Sequence, residues 1–319
     1  MPLLKSNFHP SLLFKNGHFS TIYSAKIRPI PELIQERERL QLPDGDFLDI
    51  DWSFSKIKTK KIAILLHGLE GNAQRVYIKG QGRILTENGL DVIAMNYRGC
   101  SEEDNLLYES YNSGRTDDLE MLLNFILEKD QYTEISIIGF SLGGNLLLKY
   151  LGEHTALPKE LIHGVAISAP IHLKGSLDQL LKTENWIYST VFLKSLREKY
   201  KRKISKFPDK MSYSDYKKIK TLYDFDNLYT APAHDFKNAD DYYQKNSSIQ
   251  FLPNIKIPVL ILNAQNDPFL SSQCYPLEIA EKSNTLFLET PIYGGHVGFH
   301  IKNDLYYSEK RSFEFISQN

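Results

Sequence analysis

The 319-residue chain predicts an α/β fold, with a mostly parallel sheet and helices on both faces. Three observations carry that expectation. Short apolar runs alternate with helix-like stretches, a hairpin pattern precedes them, and one helical, tyrosine-rich stretch interrupts the beat. Hydrophobic residues make up 42% of the chain, enough for a substantial core and against wholesale disorder. That length suits one large domain with an insertion, or two ordinary domains.

The elements follow in order. Residues 33–42 and 47–54 flank Pro43-Asp44-Gly45-Asp46, a strong turn signal. The second arm alternates Leu48, Ile50, Trp52 and Phe54 with polar residues, so the pair reads as a β-hairpin. Apolar runs at 61–66, 91–95, 134–138, 165–167, 259–262 and 285–288 are the strands of a parallel sheet, buried on both faces. The beat breaks between about 171 and 254. We read 171–254 as an insertion after the sixth strand, within a single domain spanning 1–319. It would form a lid over the C-terminal strand ends, where open α/β sheets carry their ligands.

Composition removes several function classes. A formal net charge of −1 argues against a dedicated nucleic-acid binder. Two cysteines, Cys100 and Cys274, do not make a disulfide framework. The first residues lack the apolar run of a signal peptide, and no segment approaches ~20 continuous apolar residues. The expectation is a soluble, cytoplasmic protein without a membrane span.

The strongest motif is Gly139-Phe140-Ser141-Leu142-Gly143, entered from an apolar β-type run and left through helix-forming Leu146-Leu147-Leu148. Strand, serine, helix is the context of a nucleophile elbow. A serine on such a turn needs neighbours two places away that are almost free of side chain, and glycine meets that demand. The alternative is an ordinary strand-to-helix turn with an unreactive serine. A nucleophilic serine also needs a base, and a third group to orient that base. In this architecture they follow in the order serine, acid, histidine. Asp267, in Asn266-Asp267-Pro268, is the candidate acid, against a solvated loop carboxylate. His296, in Gly294-Gly295-His296-Val297-Gly298, is the candidate base; His300 is its rival, without the glycine setting. Attack on a carbonyl creates an oxyanion, which needs fixed donors. The His67-Gly68-Leu69-Glu70-Gly71 loop follows a strand and offers the backbone N–H of Leu69, beside that of Leu142. Such donors are worth roughly 3 kcal/mol each. His67 would lock the loop rather than react. A metal reading of His67 with Glu70 lacks further ligands at metal-like spacing, so neither metal nor cofactor is expected. Cys100 lies on no elbow and reads as a packing residue.

Together these residues resemble the α/β-hydrolases of the YheT-like branch. The matching blocks span most of the chain: Asn16-Gly17-His18-Phe19-Ser20-Thr21, Leu42-Pro43-Asp44-Gly45, His67–Gly71, Asn96-Tyr97-Arg98-Gly99-Cys100-Ser101, the serine motif, Phe225-Asp226, Asn266-Asp267-Pro268-Phe269 and Gly294–Phe299. The resemblance implies an eight-stranded-type sheet with a helical lid. It also implies a serine hydrolase of carboxylic esters with Ser141, Asp267 and His296 as charge-relay residues and no cofactor. The chain departs from the family pattern in Asn266, where an aspartate is common, in Asn112, where histidine is usual, and in Asn72, where serine is common.

Residues 194–220 hold eleven Lys/Arg against three Asp/Glu, and Tyr188, Val191, Phe192 and Leu196 recur at helical spacing just upstream. One reading is a basic amphipathic lid that touches anionic lipid or steers an acidic substrate. The other is a solvated lid face over an apolar underside. The expected partner is a small ester with an apolar acyl part. Rival functions are thioester cleavage or acyl transfer by the same triad, and a ligand-binding pseudoenzyme. Haloalkane or epoxide hydrolysis would want a carboxylate where Ser141 stands.

Overall fold

The computed structural model describes residues 2–302 and 305–318. Nine strands form one sheet: Leu3–Leu4 (β1), Glu36–Gln41 (β2), Phe47–Ser53 (β3), Lys61–Leu66 (β4), Asp91–Asn96 (β5), Glu134–Phe140 (β6), Leu161–Ile167 (β7), Val259–Leu262 (β8) and Leu286–Glu289 (β9). Their order is β1-β9-β8-β7-β6-β4-β5-β3-β2. Only β3 runs against its neighbours β2 and β5; the other adjacent pairs are parallel. Eight of the nine make up the expected eight-stranded-type sheet. The extra strand is the two-residue β1, docked on β9 with Leu3 opposite Leu288, and too short to show a periodicity. The insertion therefore leaves the seventh strand in chain order, not the sixth.

Period-two alternation divides the strands between two cores. In β4, Ile62, Ile64 and Leu66 face one cluster, shared with Leu119 and Leu123 of helix α3 (Thr116–Glu128) and Leu146 of α4 (Leu142–Glu153). Ala63 and Leu65 face the other, with Ile78 and Leu85 of α2 (Val76–Glu87) and Phe315 of the C-terminal helix Tyr307–Ser317. Helices thus cover both faces, and burial of each Leu or Ile contributes about 1.5–3 kcal/mol.

The hairpin is as the turn signal requires, but all seven residues of β3 are buried. Its polar side is covered from β2: Arg39 donates to Asp49 at 2.7 Å and Arg37 to Asp51 at 2.8 Å, each directly across the ladder. Between β7 and β8 the chain is helical, beginning with α5 (Leu173–Leu180) and α6 (Trp186–Ile204). These helices and the later helix Ala239–Asn246 close on a third cluster of Leu196, Tyr200, Ile204, Phe225, Tyr229 and Tyr242. Among the described residues, no helix is long and apolar enough to cross a membrane.

Candidate active site

Ser141 stands between β6 and α4 with φ 52° and ψ −120°. A non-glycine residue there is strained by about 1–3 kcal/mol and persists only where packing dictates it. The packing is tight on both sides. A Cβ on Gly139 would lie 2.2 Å from the Gly143 carbonyl oxygen, and one on Gly143 2.5 Å from that of Leu66. The turn leaves Leu142 as the first residue of α4. Its N–H has no partner among the described residues and points along the positive end of the helix dipole.

The loop after β4 lies against the serine, since a Cβ on Gly68 would meet Ser141 Cβ at 3.1 Å. Its other amides are engaged. Gly68 N–H donates to Tyr77 OH at 3.0 Å, Glu70 N–H to Tyr111 OH at 3.0 Å, and Gly71 N–H to the Gly68 carbonyl at 3.0 Å. Among the described residues the Leu69 N–H has no partner, and Leu69 lines the same cleft as Ser141 and Leu142. His67 holds the loop in shape. Its Nδ1–H donates to the Gly68 carbonyl at 2.7 Å, and Nε2 accepts the Tyr97 N–H at 3.3 Å. The Nε2 acceptor contact requires a neutral ring, and burial keeps it neutral by pushing its pKa down to about 3.

Asp267 follows β8 and is buried, so the solvated-loop alternative does not hold. Its carboxylate accepts from Phe269 N–H at 2.9 Å and faces His296 Nδ1 at 2.9 and 3.1 Å. A proton on Nδ1 leaves Nε2 as the accepting nitrogen, and the Phe269 ring lies 4.2 Å from the imidazole centroid. Ser141 and His296 line one cleft of about 1100 Å³, part of it open to solvent. Among the described residues they share that lining rather than a hydrogen bond, the looser geometry common without substrate. Leu173, Leu177, Phe192, Leu196, Phe225 and Phe269 give the cleft an apolar wall. His300 is elsewhere, stacked on Phe14 at 4.0 Å in a buried aromatic group.

Several residues that hold this site carried no role in the sequence reading. Helix α1 (Gly17–Ile22) packs under the histidine loop. Thr21 Oγ1 accepts the His296 N–H at 2.8 Å, and Ser20 Oγ donates to the Gly298 carbonyl at 2.8 Å. Asn266 bridges both segments, donating to the Lys15 carbonyl at 2.9 Å and accepting from Gly295 N–H at 2.9 Å. An aspartate cannot make the first of these bonds. The available signal was the Asn16–Thr21 block itself. Lys199 and Lys203, counted in the basic stretch, turn inward from α6 rather than forming a solvated face. Cys100 is buried, and burial pushes its thiol up to about 11, out of nucleophile range. Among the described residues no group of three or more His, Cys, Asp or Glu could hold a metal ion.

The profile described as the alpha/beta hydrolase fold matches residues 63–302. The Escherichia coli (strain K12) protein named "Putative esterase YheT" is 31% identical over 299 residues, covering 92% of this chain and 87% of that protein. The "Monoacylglycerol lipase" of Saccharomyces cerevisiae is 31% identical over 274 residues, covering 83% of this chain and 59% of that protein. Among solved structures, the Pyrococcus furiosus esterase Pf2001 superposes with a TM-score of 0.61 at 18% identity, over 90% of this chain and 91% of that one. At that identity the likeness shows the fold alone. With its parallel sheet, its serine elbow and these relatives, the chain belongs to the α/β-hydrolase family, as an esterase- and lipase-type member of the YheT-like branch.

Proposed function

We propose that this chain cleaves carboxylic esters with an apolar acyl part, through Ser141, His296 and Asp267 and an acyl-enzyme intermediate. The observation that carries the reading is the His296–Asp267 pair at 2.9 Å, with the imidazole lining the same cleft as Ser141. Ser141 Oγ attacks the ester carbonyl while His296 Nε2 takes its proton. Asp267 holds the ring in the tautomer that leaves Nε2 free and stabilises the imidazolium. The N–H groups of Leu69 and Leu142 receive the oxyanion. His296 then protonates the leaving alcohol, and water, deprotonated in turn by His296, releases the acid. The insertion 171–254 acts as a lid whose apolar underside holds the acyl chain. An acyl-CoA thioester would call on the lid's cations to meet its phosphates. Lys199 and Lys203 are already engaged inside the fold, which favours the plain ester.

A fluorophosphonate probe tests this. It should label the native chain and neither Ser141→Ala nor His296→Ala, with both variants folded by circular dichroism. Labelling that survives Ser141→Ala would sink the assignment of the nucleophile.

A further inference from the structure

Glu70 follows Leu69 directly, at φ +53°, a left-handed conformation uncommon outside glycine. Its buried carboxylate is surrounded by donors from two parts of the chain. Tyr111 OH reaches Oε1 at 2.7 Å, while from α6 Lys199 Nζ reaches Oε1 at 2.7 Å and Ser195 Oγ reaches Oε2 at 2.5 Å. Arg75 fixes the same residue's carbonyl at 2.5 Å. Ser195, Lys199 and Lys203 stand four residues apart, so they share one face of α6. Lys203 ties that face to the Leu107 and Tyr108 carbonyls. Ser195 and Lys199 tie it to the residue next to the proposed oxyanion donor. A buried carboxylate is costly unless it is paired and hydrogen-bonded. If α6 lifts away, Glu70 loses two of its three side-chain donors, and its left-handed backbone is left tied through Tyr111 and Arg75 alone.

We propose that Glu70 is a positioning residue that holds the Leu69 N–H in oxyanion geometry only while Lys199 and Ser195 of the docked insertion engage its carboxylate. The inference rests on the ester-hydrolase reading above. It makes the lid part of the catalytic apparatus: closure completes the oxyanion site as well as covering the substrate. Neither Lys199 nor Ser195 bonds to the serine, the histidine or the aspartate, so losing their contacts to Glu70 falls on turnover more than on ground-state binding.

The test compares native chain, Glu70→Gln, Lys199→Met and the double variant on a short p-nitrophenyl ester, well below each melting temperature. Arg202→Ala serves as control, because it breaks another tie of α6 to the body, to Asp104 at 2.7 Å, without touching the loop. We expect kcat to fall about 10- to 100-fold in both single variants, with KM within about twofold, the size expected for a misplaced donor. The double variant should be no worse than the poorer single one, because the two residues act as a unit. Arg202→Ala should keep its kcat. Unchanged kcat in the single variants, a change confined to KM, or an equal loss in Arg202→Ala would overturn the proposal. Fluorophosphonate labelling of the native chain separates the two levels. A labelled native chain with fully active variants removes the positioning role alone, whereas an unlabelled native chain with no ester turnover removes both.

Discussion

Ser141 shows how a few backbone contacts fix the placement of one side chain. Its unfavourable dihedrals are held because Gly139 and Gly143 let the turn close against the end of β4. Gly143→Ala would push a Cβ to within 2.5 and 2.8 Å of the Leu66 and His67 carbonyl oxygens, backbone atoms that cannot swing aside. We expect a stability loss of about 1–3 kcal/mol, read by urea denaturation, and loss of fluorophosphonate labelling. Full labelling in this variant would mean that the elbow has slack the packing does not show. Thr21→Val makes a parallel case at the base. The change keeps the shape but strips the acceptor from the His296 N–H, costing about 1–3 kcal/mol. Lower stability together with a several-fold loss of kcat would tie α1 to the chemistry; a variant with native kcat would make that contact purely structural. Ser141, Asp267 and His296 stood out as candidates in the sequence because nucleophilic chemistry restricts residue type, order and flanking glycines. The supporting roles of Thr21, Ser20 and Tyr111 did not stand out, because nothing beside a hydroxyl in its own stretch of chain says which distant neighbour it props up.

Among the elements, the buried strands were the most legible, since an unbroken apolar run has few other homes than the middle of a parallel sheet. Three features resisted. The strand β1 is two residues long, below any periodicity. The alternation in β3 does not show what covers its polar residues, which arginines across the ladder do. The basic run of α6 looked solvated, yet Lys199 and Lys203 point inward, to acceptors that lie 129 and 96 residues earlier. Asp226, after the short helical turn Leu222–Phe225, is a further inward-facing charge. It lines the cleft, accepting from Thr230 at 2.7 Å and Tyr243 at 2.6 Å, and burial lifts its pKa from 3.8 to about 6. Between these two values the folded chain keeps a proton that the unfolded chain releases. Stability from this group is therefore present below pH 3.8 and is lost as pH rises through about 6. Because the carboxyl faces a cleft that solvent enters, the loss is on the order of 1–3 kcal/mol. Asp226→Asn removes the titration. Measured by urea denaturation, the native chain should lose stability relative to this variant between pH 4 and pH 7; a constant difference would refute the shift.

The molecule as a whole joins two units of unequal strength. The sheet is packed from both faces, with β4, β6 and β7 near its middle and fully buried side chains above and below them. The insertion has a smaller cluster of its own, rich in tyrosines that are as much hydrogen-bonded as packed. It leaves and rejoins the sheet at β7 and β8, and polar ties through Glu70, Asp104 and the Leu107–Tyr108 carbonyls hold α6 to the body. Interactions of that kind open more readily than a sheet core, and segments that move over binding sites belong to the less stable end of a fold. Native-state hydrogen exchange should therefore resolve two levels. Amides of β4, β6 and β7 would exchange through global unfolding, while those of α6 would exchange through a smaller opening with a weaker denaturant dependence. Glu70→Gln should lower protection in α6 and leave the central strands unchanged. Equal protection across both units would mean that the insertion and the sheet unfold as one, and a lid motion would then have to preserve the packing of α6.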